Sequence, residues 1–226
     1  MEMLIFGHAG AKVLVFPTRC ARFFEYEDSG LVNALTPKIE AGQLQLFCVD
    51  GIDAESLYAH WQAPARRMQR HADYERYLID EVLPLLAWRN SSSCLIAHGC
   101  SLGAYHALNI ACRHPGLFQK IVALSGRYDL TWSAEGFRNL LDGYYDDSVY
   151  FNTPSHFLRN LTDATILAQL RRIDIVLAVG HEDPFLTNNR QLSNTLAEKA
   201  VSHALHLWPG RAHSARAWRE MVPLYL

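Results

Sequence analysis

Residues 96–105 read Ile96-Ala97-His98-Gly99-Cys100-Ser101-Leu102-Gly103-Ala104-Tyr105, and this stretch decides the fold. An apolar strand, Cys94–Ala97, runs into Gly-x-Ser-x-Gly, and a helix of small residues, Gly103–Cys112, runs out of it. A chain that turns from strand to helix over one serine is strained there, and glycines two residues to either side let the two elements approach closely. The turn lifts the Ser101 hydroxyl above the edge of a sheet. Strings of this kind arise by chance, so the strand before it and the helix after it carry the weight of the reading.

Working outward, Leu4–Phe6 and Val13–Phe16 read as two short strands, and Gly7-His8-Ala9-Gly10 has the glycine content of a hairpin turn, which predicts an antiparallel start. Gly30–Ile39 reads as a helix broken by Pro37, and Leu44–Val49 as a third strand. Between Arg66 and Leu86 apolar residues recur at helical spacing, with Pro84 expected to kink or end the helix. Strands are expected at Ile121–Leu124, Ile173–Val179 and His203–Trp208. Helices are expected at Asn189–Lys199 and at Ala215–Val222, the latter stopped by Pro223. This alternation predicts an α/β fold with a doubly wound, mostly parallel sheet, in one domain over residues 1–226. Gly126–Arg171 is longer than a crossover and rich in aromatics. It reads as a lid-like insertion, or as a satellite packed on the sheet.

Half of the residues are hydrophobic and 19% are charged, enough to build a sizeable core. A net charge of −2 leaves no basic footprint for a phosphate backbone, which argues against a nucleic-acid partner. The N-terminus lacks the basic start of a signal peptide, and no apolar run approaches the roughly 18 residues of a membrane span. No membrane partner and a cytoplasmic location are therefore expected. The five cysteines show no paired spacing and read as free thiols in a reducing compartment.

A serine hydroxyl needs a histidine to take its proton and a carboxylate to orient that histidine. Asp183 follows the Ile173–Val179 strand in Gly180-His181-Glu182-Asp183-Pro184, and His213 lies between the last strand and the last helix in Pro209-Gly210-Arg211-Ala212-His213-Ser214. The order serine, acid, histidine is the one this type of sheet requires. Glu182 and Asp129 are the rival acids. Leu102, opening the helix after Ser101, offers one backbone N–H to an oxyanion. His203, His206 and His213 do not read as a metal cluster, because strand alternation separates the first two. Neither metal nor cofactor is expected.

Together, Val13–Asp28, Gly99–Gly103, Gly180–Leu186 and Trp208–Trp218 resemble the esterase branch of the α/β-hydrolase superfamily, which includes small bacterial esterases, esterase D-like thioester hydrolases, feruloyl esterases and mycolyltransferases. The resemblance implies a serine esterase acting on a small-molecule ester or thioester through an acyl-enzyme. Two alternatives stand beside it: an acyltransferase with the same triad, and an idle hydrolase fold used for binding. It also implies a second oxyanion N–H from the loop after the second strand, at Arg19 or else Thr18. Arg19-Cys20 is bulkier than the small residues such loops usually carry, and Ser214 stands where relatives often have Asp. Cys20 and Cys100, so close to these positions, read either as reactive thiols or as inert packing.

Overall fold

The computed structural model describes residues 1–226. Its strands are β1 (Met3–Phe6), β2 (Ala11–Phe16), β3 (Leu44–Val49), β4 (Leu95–Cys100), β5 (Lys120–Leu124), β6 (Asp174–Gly180) and β7 (His203–Trp208). They form one sheet in the order β1-β3-β2-β4-β5-β6-β7. All neighbours are parallel except β1, which runs antiparallel to β3. The helices are α1 (Glu25–Asp28), α2 (Leu31–Glu40), α3 (Pro64–Tyr77), α4 (Leu83–Arg89), α5 (Leu102–Arg113), α6 (Asp147–Phe151), α7 (Pro154–Asn160), α8 (Ala164–Leu170), α9 (Leu186–Glu198) and α10 (Ala215–Tyr225).

Both faces of the sheet are covered, which is why its central strands are apolar without alternation. Leu14, Phe16, Ala97, Ile121 and Leu177 face one core, with Leu108 of α5 and Leu192 of α9. Val13, Val15, Ile96, Val122 and Val176 face the other, with Leu31 and Leu35 of α2 and Trp218 and Met221 of α10. The period of two along each strand thus divides two hydrophobic layers.

The expected hairpin between β1 and β2 does not form. β2 is buried and pairs with β3 on one side and β4 on the other, whereas β1, with Ile5 exposed, takes the sheet edge beyond β3. The glycines serve the crossing: a Cβ on Gly10 would lie 2.1 Å from the Gln43 carbonyl carbon, and one on Gly7 2.8 Å from the Leu44 oxygen. Pro37 does not break α2, and Pro223 does not stop α10; both lie inside their helices. The two helices pack against each other, and burial of their apolar faces offsets the missing hydrogen bond at each proline. Pro84 likewise does not end its helix, which continues to Arg89. A wide π-type turn at Leu78–Val82 joins α3 to α4, and Pro84 follows directly after it, where the helical hydrogen-bond pattern is already interrupted.

Residues 126–171 connect β5 to β6 through an irregular stretch and then α6, α7 and α8. Several of its aromatics pack: Tyr128 and Phe157 belong to the larger core. Leu130, Leu140, Leu141 and Val149 close a small core over Leu57, Met68 and Tyr105. Phe137 instead lines a cavity at the carboxyl ends of the strands. No helix of the chain is long and apolar enough to cross a membrane.

Candidate active site

Ser101 sits between β4 and α5 with φ 56° and ψ −117°, a positive-φ backbone conformation that costs a side-chain-bearing residue energy. The flanking glycines are required by contact. A Cβ on Gly99 would lie 2.3 Å from the Gly103 carbonyl carbon, and one on Gly103 2.4 Å from the Phe16 oxygen at the end of β2. The Ser101 N–H donates to the Leu124 carbonyl at 2.8 Å, tying the bend to β5.

His213 and Asp183 come to this bend from the far end of the sheet. The Ser101 hydroxyl lies 3.0 Å from His213 Nε2, and His213 Nδ1 lies 2.8 Å from Asp183 Oδ2. A carboxylate only accepts, so the ring proton resides on Nδ1 and Nε2 presents its lone pair to the serine. The Asp183 side chain is fully buried, and its other oxygen accepts the Phe185 N–H at 2.9 Å. Gly180 makes the meeting sterically possible, since a Cβ there would lie 2.1 Å from the Arg211 oxygen in the His213 loop. Trp218 of α10 stands edge-on to the imidazole at 5.4 Å, held by its indole N–H donating to Ser125 Oγ at 3.2 Å.

The rival acids lie elsewhere. Glu182 is exposed, and Asp129 is held within the 126–171 connection by Thr131 and by His156 at 3.2 Å. His203 bonds Ser193 while His206 stacks on Tyr225, so these two histidines and His213 have separate surroundings.

Leu102 opens α5, where the first N–H groups have no acceptor inside the helix. In the loop after β2, the Thr18 N–H is directed to the Glu25 carboxylate at 3.4 Å and the Cys20 N–H to Asp53 Oδ2 at 3.3 Å. The Arg19 N–H between them has no partner within the chain. Leu102 and Arg19 line one cavity with Ser101 and His213, of about 240 Å³.

The Esterase family model, described as "Putative esterase", matches residues 29–223, most of the chain. The chain belongs to this esterase family. No curated protein matches it. Among solved structures the esterase is similar to a ferulic acid esterase, at 16% identity and TM-score 0.71, covering 96% of this chain and 82% of the other. It is also similar to S-formylglutathione hydrolases from Staphylococcus aureus and Agrobacterium tumefaciens. The first shares 17% identity at TM-score 0.68, covering 95% of this chain and 79% of the other; the second shares 16% at 0.65, covering 96% and 84%. At these identities the likeness carries the fold, an α/β-hydrolase sheet. Family membership makes the protein a carboxylic ester hydrolase.

Sequence reasoning assigned no individual role to several residues that line the candidate site. Tyr58, Arg127, Phe137 and Phe185 line the cavity beside Ser101. Burial raises the Tyr58 phenol against the opposing pull of Arg127 and Arg19, and burial lowers the Arg127 guanidinium from its usual range. Arg127 carried a usable signal: it follows a buried strand by three residues, and ligands of open α/β sheets bind beyond the carboxyl ends of the strands. Tyr58 carried none, lying in an irregular stretch far from any motif. The two suspect thiols are shifted away from reactivity. Burial pushes Cys100 well up, and burial with the nearby Asp53 charge pushes Cys20 up.

Proposed function

We propose that the protein is a serine esterase in which Ser101 is the nucleophile, His213 the general base and acid, and Asp183 the group that orients it. The observation that carries this reading is the unbroken chain of contacts from Asp183 through both ring nitrogens of His213 to Ser101 Oγ, opening on a cavity. His213 Nε2 takes the hydroxyl proton as Ser101 attacks the ester carbonyl. The imidazolium so formed is stabilised by the buried Asp183 carboxylate and returns the proton to the departing alcohol. Water then repeats the cycle on the acyl-enzyme.

The backbone N–H groups of Leu102 and Arg19 hold the oxyanion. Arg19 is favoured over Thr18 because the neighbouring N–H groups of the loop already have carboxylate partners. The positive end of α5 adds to this stabilisation. Phe137, from the 126–171 connection, forms a wall of the cavity and limits water around the acyl group. The five free thiols fit a cytoplasmic location.

Ser101→Ala tests the assignment. It should lower turnover of short p-nitrophenyl esters by about 10⁴-fold or more and abolish fluorophosphonate labelling, with an unchanged thermal midpoint. Undiminished turnover, or labelling that persists in the variant, would overturn it.

A further inference from the structure

The cavity at Ser101 adjoins a second of about 460 Å³, the two sharing Arg19, Tyr58, Arg127 and Phe137 as walls. Arg138 lines the outer cavity, so three arginines surround the combined space and no Asp or Glu lines it. In a chain of net charge −2 this is a local reversal of sign.

Arg127 is the informative member, being only 3% exposed. Its Nε and Nη2 donate to four main-chain carbonyls, those of Asp129, Leu130, Trp132 and Arg138, at 2.6–3.3 Å. Its Nη1 is buried with no hydrogen-bond partner, and the guanidinium forms no ion pair, the Tyr58 phenol and the Asp129 carboxylate being the neighbours that favour its charge. The guanidinium carbon also lies 5.8 Å from the Phe185 ring centroid, and Phe185 borders His213 at 6.0 Å. A buried cation held rigidly by neutral carbonyls, with one nitrogen unused, is costly in an empty protein and is rational if a ligand supplies the missing charge.

Arg19, over the Tyr58 ring at 5.6 Å, and Arg138 are both exposed and form no ion pair within the chain. Asp142, 4.0 Å from His60 of the outer cavity wall, is already paired with Arg67 at 2.8 Å.

We propose that the preferred ester carries a negatively charged oxygen group, a carboxylate or phosphate, which docks on Arg127 with Arg19 and Arg138 around it while the ester carbonyl lies at Ser101. The proposal rests on the Ser101 reading for which bond is cleaved, but the anion site itself can be measured without turnover. Selectivity arises because a neutral ester leaves Nη1 of the buried guanidinium unpaired, while an anionic one completes it with a charge-assisted hydrogen bond.

The test compares mono-p-nitrophenyl glutarate with its neutral methyl ester, and 3-butyryloxybenzoate with its methyl ester. The first pair places the charge on the acyl side and the second on the leaving group. One anionic member should exceed its neutral partner by about 10- to 100-fold in kcat/KM. That preference should shrink with added salt and fall to near unity in Arg127→Gln. Arg138→Gln, an exposed change that breaks no side-chain contact of the fold, should reduce it a few-fold. In parallel, calorimetry on Ser101→Ala should detect monomethyl glutarate or inorganic phosphate, whichever chemistry fits, but not dimethyl glutarate.

Equal or better use of the neutral ester in both pairs, together with no binding of either anion to Ser101→Ala, overturns the anion site and leaves the esterase reading standing. Anion binding to Ser101→Ala by a protein whose wild type neither turns over these esters nor reacts with a fluorophosphonate supports the anion site and overturns the Ser101 reading alone.

Discussion

Two aspartate–histidine pairs lie near the loop that follows β2, and their bond lengths are nearly the same: 2.8 Å for Asp183–His213 and 2.9 Å for Asp53–His106. Their surroundings differ. His213 has its second nitrogen on a serine hydroxyl in an open cavity. His106 is buried among the rings of Phe16, His71, Tyr74 and Tyr105, and its one side-chain hydrogen bond is to Asp53. An oriented imidazole becomes a proton carrier only where its free nitrogen faces a hydroxyl and a substrate can enter. Elsewhere the same pair braces structure, here through Asp53, which also accepts the Cys20 N–H beside Arg19.

The sharpest way to break this contrast is to damage each pair in turn. His213→Ala and Asp183→Asn should each lower kcat/KM by about 10⁴-fold with little change in unfolding midpoint. His106→Gln should leave turnover within about tenfold while lowering stability by about 1–3 kcal/mol. Comparable kinetic losses in both pairs would erase the distinction.

Acid should find the inner region first. Burial holds His71 down at about 3 and His98 at about 4, below the ordinary 6.5. In that window the unfolded chain binds protons that the folded chain refuses. Stability is therefore complete above about pH 6.5 and is lost as pH falls toward 4, by up to about 1.4 kcal/mol per pH unit for each histidine. Urea midpoints measured from pH 7.5 to 4.5 check this, and a flat profile would contradict it.

Asp53→Asn probes the link between the two regions. Loosening the Cys20 N–H should misplace the Arg19 N–H, giving about a tenfold fall in kcat at unchanged KM, with about 1–3 kcal/mol of lost stability. An unaltered kcat would show that the loop holds itself. The smallest effect concerns Cys20, whose raised thiol pKa should make iodoacetamide modification at pH 7 slow compared with a free thiol. Mass spectrometry of the alkylated protein measures it.

The sequence made the Ser101 bend and the order of Asp183 and His213 legible because each depends on local chain geometry: glycines where backbones touch, and loops at strand ends. The place of β1 was not legible. Gly7 and Gly10 suit a hairpin and a close crossing equally, and only the demand of β2 for two buried neighbours decides between them. Pro37 and Pro223 misled for a similar reason, since the packing of α2 on α10 outweighs a local preference against helix. Asp53 was hidden because its significance lies in what it touches, and those partners are brought to it by the fold.

His213 is 112 residues from Ser101, and Gly180 must meet the Arg211 backbone before the imidazole can reach the hydroxyl. On the proposed assignment, a chain emerging from the ribosome holds its nucleophile long before it holds the base. No ester is cleaved until β7 has paired and α10 has docked. Hydrolysis thus reports complete folding, and a single cut in the loop after β7 would silence the enzyme while leaving most of its sheet intact.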